Sequence, residues 1–140
     1  MSRIFTIPGE VKGKGRPRFA RAGKFVKAYT PKETANYENL VKISYQQEHA
    51  GKPLFENALN LDVTVFTSIP KSFSKKKTEL ALSKELLPTK KPDLDNIAKI
   101  IADSLNGIAY QDDKQITSLT IKKFYGQAPQ AVVKINELSS

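Results

Sequence analysis

The stretch "ALNLDVTVFTS", residues 58–68, constrains the fold most. Leu59, Leu61, Val63 and Val65 alternate with Asn60, Asp62 and Thr64, the period of a half-buried strand. Such a strand needs neighbours to pair with and an apolar cover over one face. A cover is available in "KKPDLDNIAKIIADSLNG", residues 90–107. There Leu94, Ile97, Ile101 and Leu105, then Ile108, recur every three or four residues. That spacing predicts a helix from about Asp93 to the Asn106-Gly107 stop signal, with these residues as its buried stripe.

The remaining segments sort around this pair. Arg3–Pro8 reads as a short strand, and the Gly-rich, basic segment 9–24 as a loop with a hairpin running into "FVKAYT". Thr30-Pro31 predicts an N-cap followed by proline at the first helical position. Glu33 lies in the first turn, and the helix runs to about His49 on an inner face of Tyr37, Leu40, Val41, Ser44 and Tyr45. Gly51 and Pro53 end it. The Lys-rich segment 71–91 predicts a further helix opening at Ser72 or Ser74, with its charged face in solvent. Two closing strands, about 115–125 and 130–137, are expected to pair as a hairpin through "GQAPQ". The order predicts an α+β fold: a single domain over residues 1–140, with a mixed β-sheet packed against helices.

Composition then narrows the function. The chain has no cysteine, which excludes disulfides, thiolate metal sites and cysteine nucleophiles. No apolar run is long enough to cross a bilayer, and the N-terminus lacks a signal-peptide core. A cytoplasmic protein is expected, with no membrane partner. A formal net charge of +9 points to a polyanionic partner, of which nucleic acid is the commonest.

Against that background the acids are concentrated. Only 14 Asp and Glu stand against 23 Lys and Arg, yet Asp93, Asp95, Asp103, Asp112 and Asp113 fall within one short segment. Taken singly, Asp93 and Asp95 suit a helix N-terminus, and Asp112–Asp113 suit a turn. Taken together, Asp95, Lys99 and Asp103 share a second helix face at i, i+4 and i+8. The helix advances roughly 16 Å from Asp95 to Asn106 at ~1.5 Å per residue. The chain from Asn106 to Asp113 reaches up to about 23 Å at ~3.3 Å per residue. It can therefore return Asp113 to Asp93 and Asp95, or leave it beside Asp103. Converging carboxylates repel unless a cation joins them, and oxygen ligands without His or Cys suit Mg²⁺ or Mn²⁺. Lys99 could hold a phosphate oxygen, orient a water or stabilise developing charge.

At these residues the chain resembles the RusA family of Holliday junction resolvases. "PDLDNIAKIIADSLNG" followed by "YQDDKQI" is similar to that family's signature: D-x-D-N, a lysine four residues on, D-x-L, then D-D-x-Q. "IPGEVKGKGRPRF" and "YTPKETANYENLV" are similar as well, so the resemblance covers most of the chain. It implies metal ligands at Asp93, Asp95 and Asp113, an essential catalytic Lys99, and supporting roles for Asp103 and Asp112. It also implies Mg²⁺, with Mn²⁺ as a substitute, and no nucleotide cofactor. The implied assembly is a homodimer that cuts opposing strands of four-way junction DNA, in recombination and repair of prophage origin. The segment 71–91 is the least family-like.

The basic loop carries the expected DNA contacts. Arg16 and Arg18 are assigned to DNA, and "GRP" resembles minor-groove binding arms. Lys90 and Lys91, immediately before the acids, are assigned likewise. Two other readings stand beside the nuclease: a non-catalytic DNA-binding or recombination-accessory protein, and an RNA-directed protein.

Overall fold

Alternation places the most apolar strand in the interior of the sheet. The computed structural model describes residues 1–15, 18–23, 25–29 and 31–138. Its elements are β1 (Ser2–Pro8), β2 (Arg18–Ala22), β3 (Phe25–Tyr29), α1 (Lys32–His49), β4 (Leu59–Ser68), α2 (Lys75–Leu82), α3 (Leu94–Ser104), β5 (Ile116–Gly126) and β6 (Gln130–Glu137). A 3-10 turn, Asp113–Gln115, leads into β5. The main sheet has the order β1-β6-β4-β5, with β4 parallel to β5 and antiparallel to β6. β2 and β3 form a separate antiparallel hairpin, as expected of the glycine-rich segment. The fold is a single-domain α+β structure with a mixed sheet, as the element order predicts.

The closing strands depart from expectation. β5 and β6 are not a paired hairpin, because β4 lies between them. The reason lies in burial. β4 alternates strictly and buries Leu59, Leu61, Val63 and Val65, so it takes a partner on each side. β5 is exposed at Thr117, Ser118, Leu119 and Thr120, so it takes the edge. Residues 127–129 step across the end of β4. Neighbouring strands lie ~4.8 Å apart, so that step of roughly 10 Å is within their reach.

The core forms where the inner face of the sheet meets α1 and α3. Ile7, Val41, Leu61, Val63, Ile97, Ile101, Leu105, Val133 and Ile135 belong to one buried cluster. On α1 the expected inner residues Tyr37, Val41, Ser44 and Tyr45 are buried, while Leu40 is half-buried. Pro31, not Thr30, occupies the cap position, without a side-chain cap bond. Thr30 lies outside the described residues. On α3 the stripe shifts by part of a turn. Ile97, Ile101 and Leu105 are buried, Ile100 joins them, Ile108 is half-buried and Leu94 is exposed. Leu94 is the first residue of the helix, between the exposed Asp93 and Asp95. On α2, Ser74 caps by accepting from the Lys77 amide at 3.1 Å, and Lys75, Lys76 and Lys77 face solvent.

Two buried polar groups tie β1 to the helical layer. Arg3 donates from Nη1 to the Tyr45 hydroxyl at 2.8 Å and to the Pro53 carbonyl at 2.9 Å. Its guanidinium lies 4.0 Å from the centroid of the Phe55 ring. His49, the chain's one histidine, places Nε2 2.8 Å from the Ile4 carbonyl and Nδ1 2.9 Å from the Lys52 ammonium. Its two nitrogens are engaged structurally, in keeping with a site built without imidazole.

Since Ile101 is fully buried at the centre of this layer, Ile101→Ala is expected to destabilise the fold by about 2–5 kcal/mol. The check is a fall in the urea midpoint at unchanged m-value.

Candidate active site

The buried stripe of α3 fixes which way its polar residues point. With Ile97, Ile100 and Ile101 turned inward, Asp95 and Lys99 are exposed and Asp103 is half-buried. Lys99 Nζ lies 3.4 Å from Asp103 Oδ2, one turn further on. Asp103 also faces Lys14 of the glycine-rich loop at 3.6 Å, and Lys14 bonds Glu38 of α1 at 2.6 Å. Burial works against the Lys14 charge. The hydrogen bond and charge of Glu38, with Asp103 behind them, outweigh that and hold its pKa above the ordinary lysine value. Lys14 thus serves to clamp the loop across α1 and α3. Gly13 is needed for the approach: a Cβ there would meet Pro92 and Asn96 Cβ at 3.1 Å.

At the start of α3, Asp93 takes the N-cap position with extended backbone, yet its carboxylate makes no cap bond. The helix does not use the acid that a helix N-terminus favours. Asp95 forms no ion pair among the described residues and, like Asp93, is exposed.

The D-D-x-Q turn divides its labour between its two acids. Asp112 accepts from the Lys114 amide at 3.1 Å. Gln115 answers with Oε1, which accepts from the amides of Gln111 at 3.0 Å and Asp112 at 3.1 Å, so a capping box is closed. The other end of Gln115 donates to the carbonyls of Phe55 at 2.9 Å and Asn57 at 3.2 Å. Tyr110, fully buried, donates to the Ala102 carbonyl at 2.6 Å and pins the chain back onto α3. Asp112, Gln115 and Tyr110 are therefore structural, and they leave the Asp113 carboxylate directed at Asp103 and Lys99.

Asp113 has its pKa raised above the ordinary aspartate value. Partial burial contributes most, then a hydrogen bond with Asp103 and the negative charges of Asp112 and Asp103, while Lys99 pulls the other way. A raised carboxylate favours the protonated folded state. Its repulsion is therefore relieved as pH falls through the raised pKa, the reverse of a salt-bridged acid.

The chain return thus brings Asp113 to Asp103 and Lys99. Asp95 is two turns before Asp103, roughly 12 Å along the axis at ~1.5 Å per residue. Among the described residues, no group of three or more His, Cys, Asp or Glu is gathered as a ready metal ligand set. The oxygen donors offered by these acids are carboxylates only, the ligand type that suits a hard cation. Lys99 and Asp113 line one cleft of about 340 Å³ between α3 and the first half of β5, floored by Ala98, Ala102 and Leu61. Lys90 and Lys91 are exposed just before Asp93. Lys123 of β5 shapes their backbone by donating to the carbonyls of Lys90 at 2.7 Å and Pro92 at 3.1 Å. Arg18 opens β2; Arg16 lies outside the described residues. The roles of Lys14, Gln115 and Lys123 were not legible individually. In the sequence they read as one more basic loop residue, part of a motif and a strand lysine.

One carboxylate and one lysine, Asp113 and Lys99, face a common cleft on a strongly basic α+β frame, residue types that phosphoryl-transfer sites use. The family model "Endodeoxyribonuclease RusA" matches residues 8–136, and the chain belongs to this endodeoxyribonuclease family. Among curated proteins it is 36% identical over 138 residues to "Uncharacterized protein YqaN" of Bacillus subtilis (strain 168), covering 97% of this chain and 96% of that protein. No described helix is long and apolar enough to cross a membrane.

In metal-free protein, Asp103→Asn is expected to lower the Asp113 pKa toward the ordinary value, since it removes a neighbouring negative charge; an NMR pH titration reads the shift. Gln115→Ala leaves the Phe55 and Asn57 carbonyls without this donor and opens the capping box. A loss of about 1–3 kcal/mol is expected in urea denaturation, with any endonuclease activity reduced further than Asp112→Asn reduces it.

Proposed function

We propose that the protein resolves four-way DNA junctions by metal-dependent hydrolysis of phosphodiesters in opposing strands, in DNA recombination or repair. The observation that carries this reading is the position of Lys99. It projects from α3 one turn after Asp95, and it lines the same cleft as Asp113, whose turn is held by Asp112 and Gln115. Among the described residues Asp93 and Asp95 have no capping or ion-pair role, and the acids gathered at Asp113 favour a bound cation.

Asp93, Asp95 and Asp113 would hold Mg²⁺, with Mn²⁺ as a substitute. When bound, such an ion activates water and polarises the phosphate. Lys99 meets a nonbridging phosphate oxygen and stabilises the charge that develops on it. Asp103 holds Lys99 on the cleft side of the helix and carries part of the local negative charge. Lys90 and Lys91, with Arg16 and Arg18, contact backbone phosphates to either side. Two copies related by a twofold axis would place two such sites on a symmetric junction, which is the physical motive for a homodimer. No nucleotide cofactor is needed, and a cytoplasmic, prophage-derived role fits the family reading.

Cleavage of an end-labelled synthetic four-way junction, beside linear duplex and an RNA hairpin, tests the reading. Wild-type protein is expected to make paired symmetric nicks with Mg²⁺ or Mn²⁺ and none with EDTA. Asp95→Asn should lower cleavage by about 100-fold or more, while junction affinity stays equal or rises because phosphate repulsion falls. Tight binding without cutting under either metal would assign the protein to the accessory class instead.

A further inference from the structure

Beside the entrance to α3 lies a second recess of about 310 Å³, of which the nuclease reading uses only Lys90 and Lys91 and leaves the facing wall without a role. Lys12 and Gly13 of the loop, Thr67 near the end of β4, and Lys90 and Lys91 line it. Three exposed lysines thus converge on one concavity from two separate chain segments. Glu10 is the acid at the same rim, and its Oε1 is occupied by the Ser68 amide at 3.1 Å and the Ser68 hydroxyl. Three positive charges against one committed carboxylate leave the recess net positive.

Its wall also holds an unanswered polar group. Thr67 is 4% exposed, and its hydroxyl has no hydrogen-bond partner among the described residues. Buried hydroxyls are ordinarily paired, so an unpaired one beside converging cations marks a place where a ligand supplies the missing acceptor. Two structural devices keep the recess open in this shape. Gly13 sits against Pro92 and Asn96 where a Cβ would be crowded, and Lys123 holds the 90–92 backbone by its carbonyls.

We propose that this recess binds a backbone phosphate of the DNA, neighbouring the one that reaches Asp93 and Asp95. Lys12 and Lys91 supply charge, and Thr67 donates a hydrogen bond to a nonbridging oxygen. The location follows from the chain: Lys91 and Pro92 are the last residues before Asp93, so a strand lying along the start of α3 continues over this recess. The inference rests on the nuclease reading for its choice of ligand. Its test uses binding without divalent metal, so it stands or fails separately from cleavage.

The experiment is junction binding in EDTA by fluorescence anisotropy, with the full chain. Thr67→Val keeps the side-chain shape and removes only a hydroxyl that has no partner among the described residues. Its urea midpoint is expected to hold or rise, while junction affinity falls about tenfold. Lys91→Ala is expected to reduce the salt slope by about one. Junctions carrying a single neutral methylphosphonate linkage, moved one position at a time, then locate the phosphate. At one linkage next to the cleaved position wild type should lose about tenfold, and Thr67→Val should lose nothing further. Unchanged affinity in Thr67→Val, or additive losses at every linkage, would overturn the proposal. Absence of cleavage by wild-type protein would count against the nuclease reading and leave these comparisons intact.

Discussion

Burial of one face of α3 is the constraint from which the rest of the site follows. Ile97, Ile100, Ile101 and Leu105 are fully buried in the core shared with the inner face of the sheet and α1. At ~25 cal/mol per Å² of apolar surface, four such side chains outweigh any surface ion pair on the opposite face. The helix cannot rotate to suit its charges. Asp95, Lys99 and Asp103 point where the hydrophobic stripe leaves them, and the polar chemistry is built on a rigid element.

The second component is a turn that must meet that helix. A turn carrying two adjacent acids would be poorly defined if both were mobile. Here Asp112 is used in a capping box and Gln115 reaches across to the carbonyls of Phe55 and Asn57. Tyr110 secures the same turn to the back of α3. The consequence is a division between one acid that organises the backbone and one whose charge is left over. The raised Asp113 pKa, owed first to partial burial, then to the hydrogen bond with Asp103 and the charges of Asp112 and Asp103, is the electrostatic cost of that arrangement, and a cation would offset the repulsion within it.

Much of this was legible in the sequence because the signals were periodic. The strict alternation of β4 and the three-to-four spacing of α3 identified both elements, and the i, i+4, i+8 set correctly placed Asp95, Lys99 and Asp103 on one face. The pairing of β5 was not legible. Its residues are compatible with a hairpin locally, and only the demand of β4 for two partners, a nonlocal property, separates β5 from β6. Ile100 was missed for a related reason: the width of a buried face depends on what packs over it, and the core buries more of α3 than a narrow stripe implies. Arg3 gave no signal either, since a basic residue near a terminus reads as exposed until Tyr45, Pro53 and Phe55 surround it. Spacing alone left Asp113 two destinations. The bonds of Gln115 to Phe55 and Asn57, remote in sequence, and of Tyr110 back to Ala102 on α3 place it beside Asp103 and Lys99.

On the proposed reading, the acids left over by the fold form a cation site in which Asp113 acts with the start of α3. Titration of Mn²⁺ into isotopically labelled protein, followed by paramagnetic broadening of backbone and carboxylate resonances, tests it most directly. Saturable broadening is expected to centre on Asp93, Asp95 and Asp113, to include Lys99, and to be abolished by Asp95→Asn. Broadening centred on other acidic residues, or weak and unsaturable broadening spread over the surface, would contradict it.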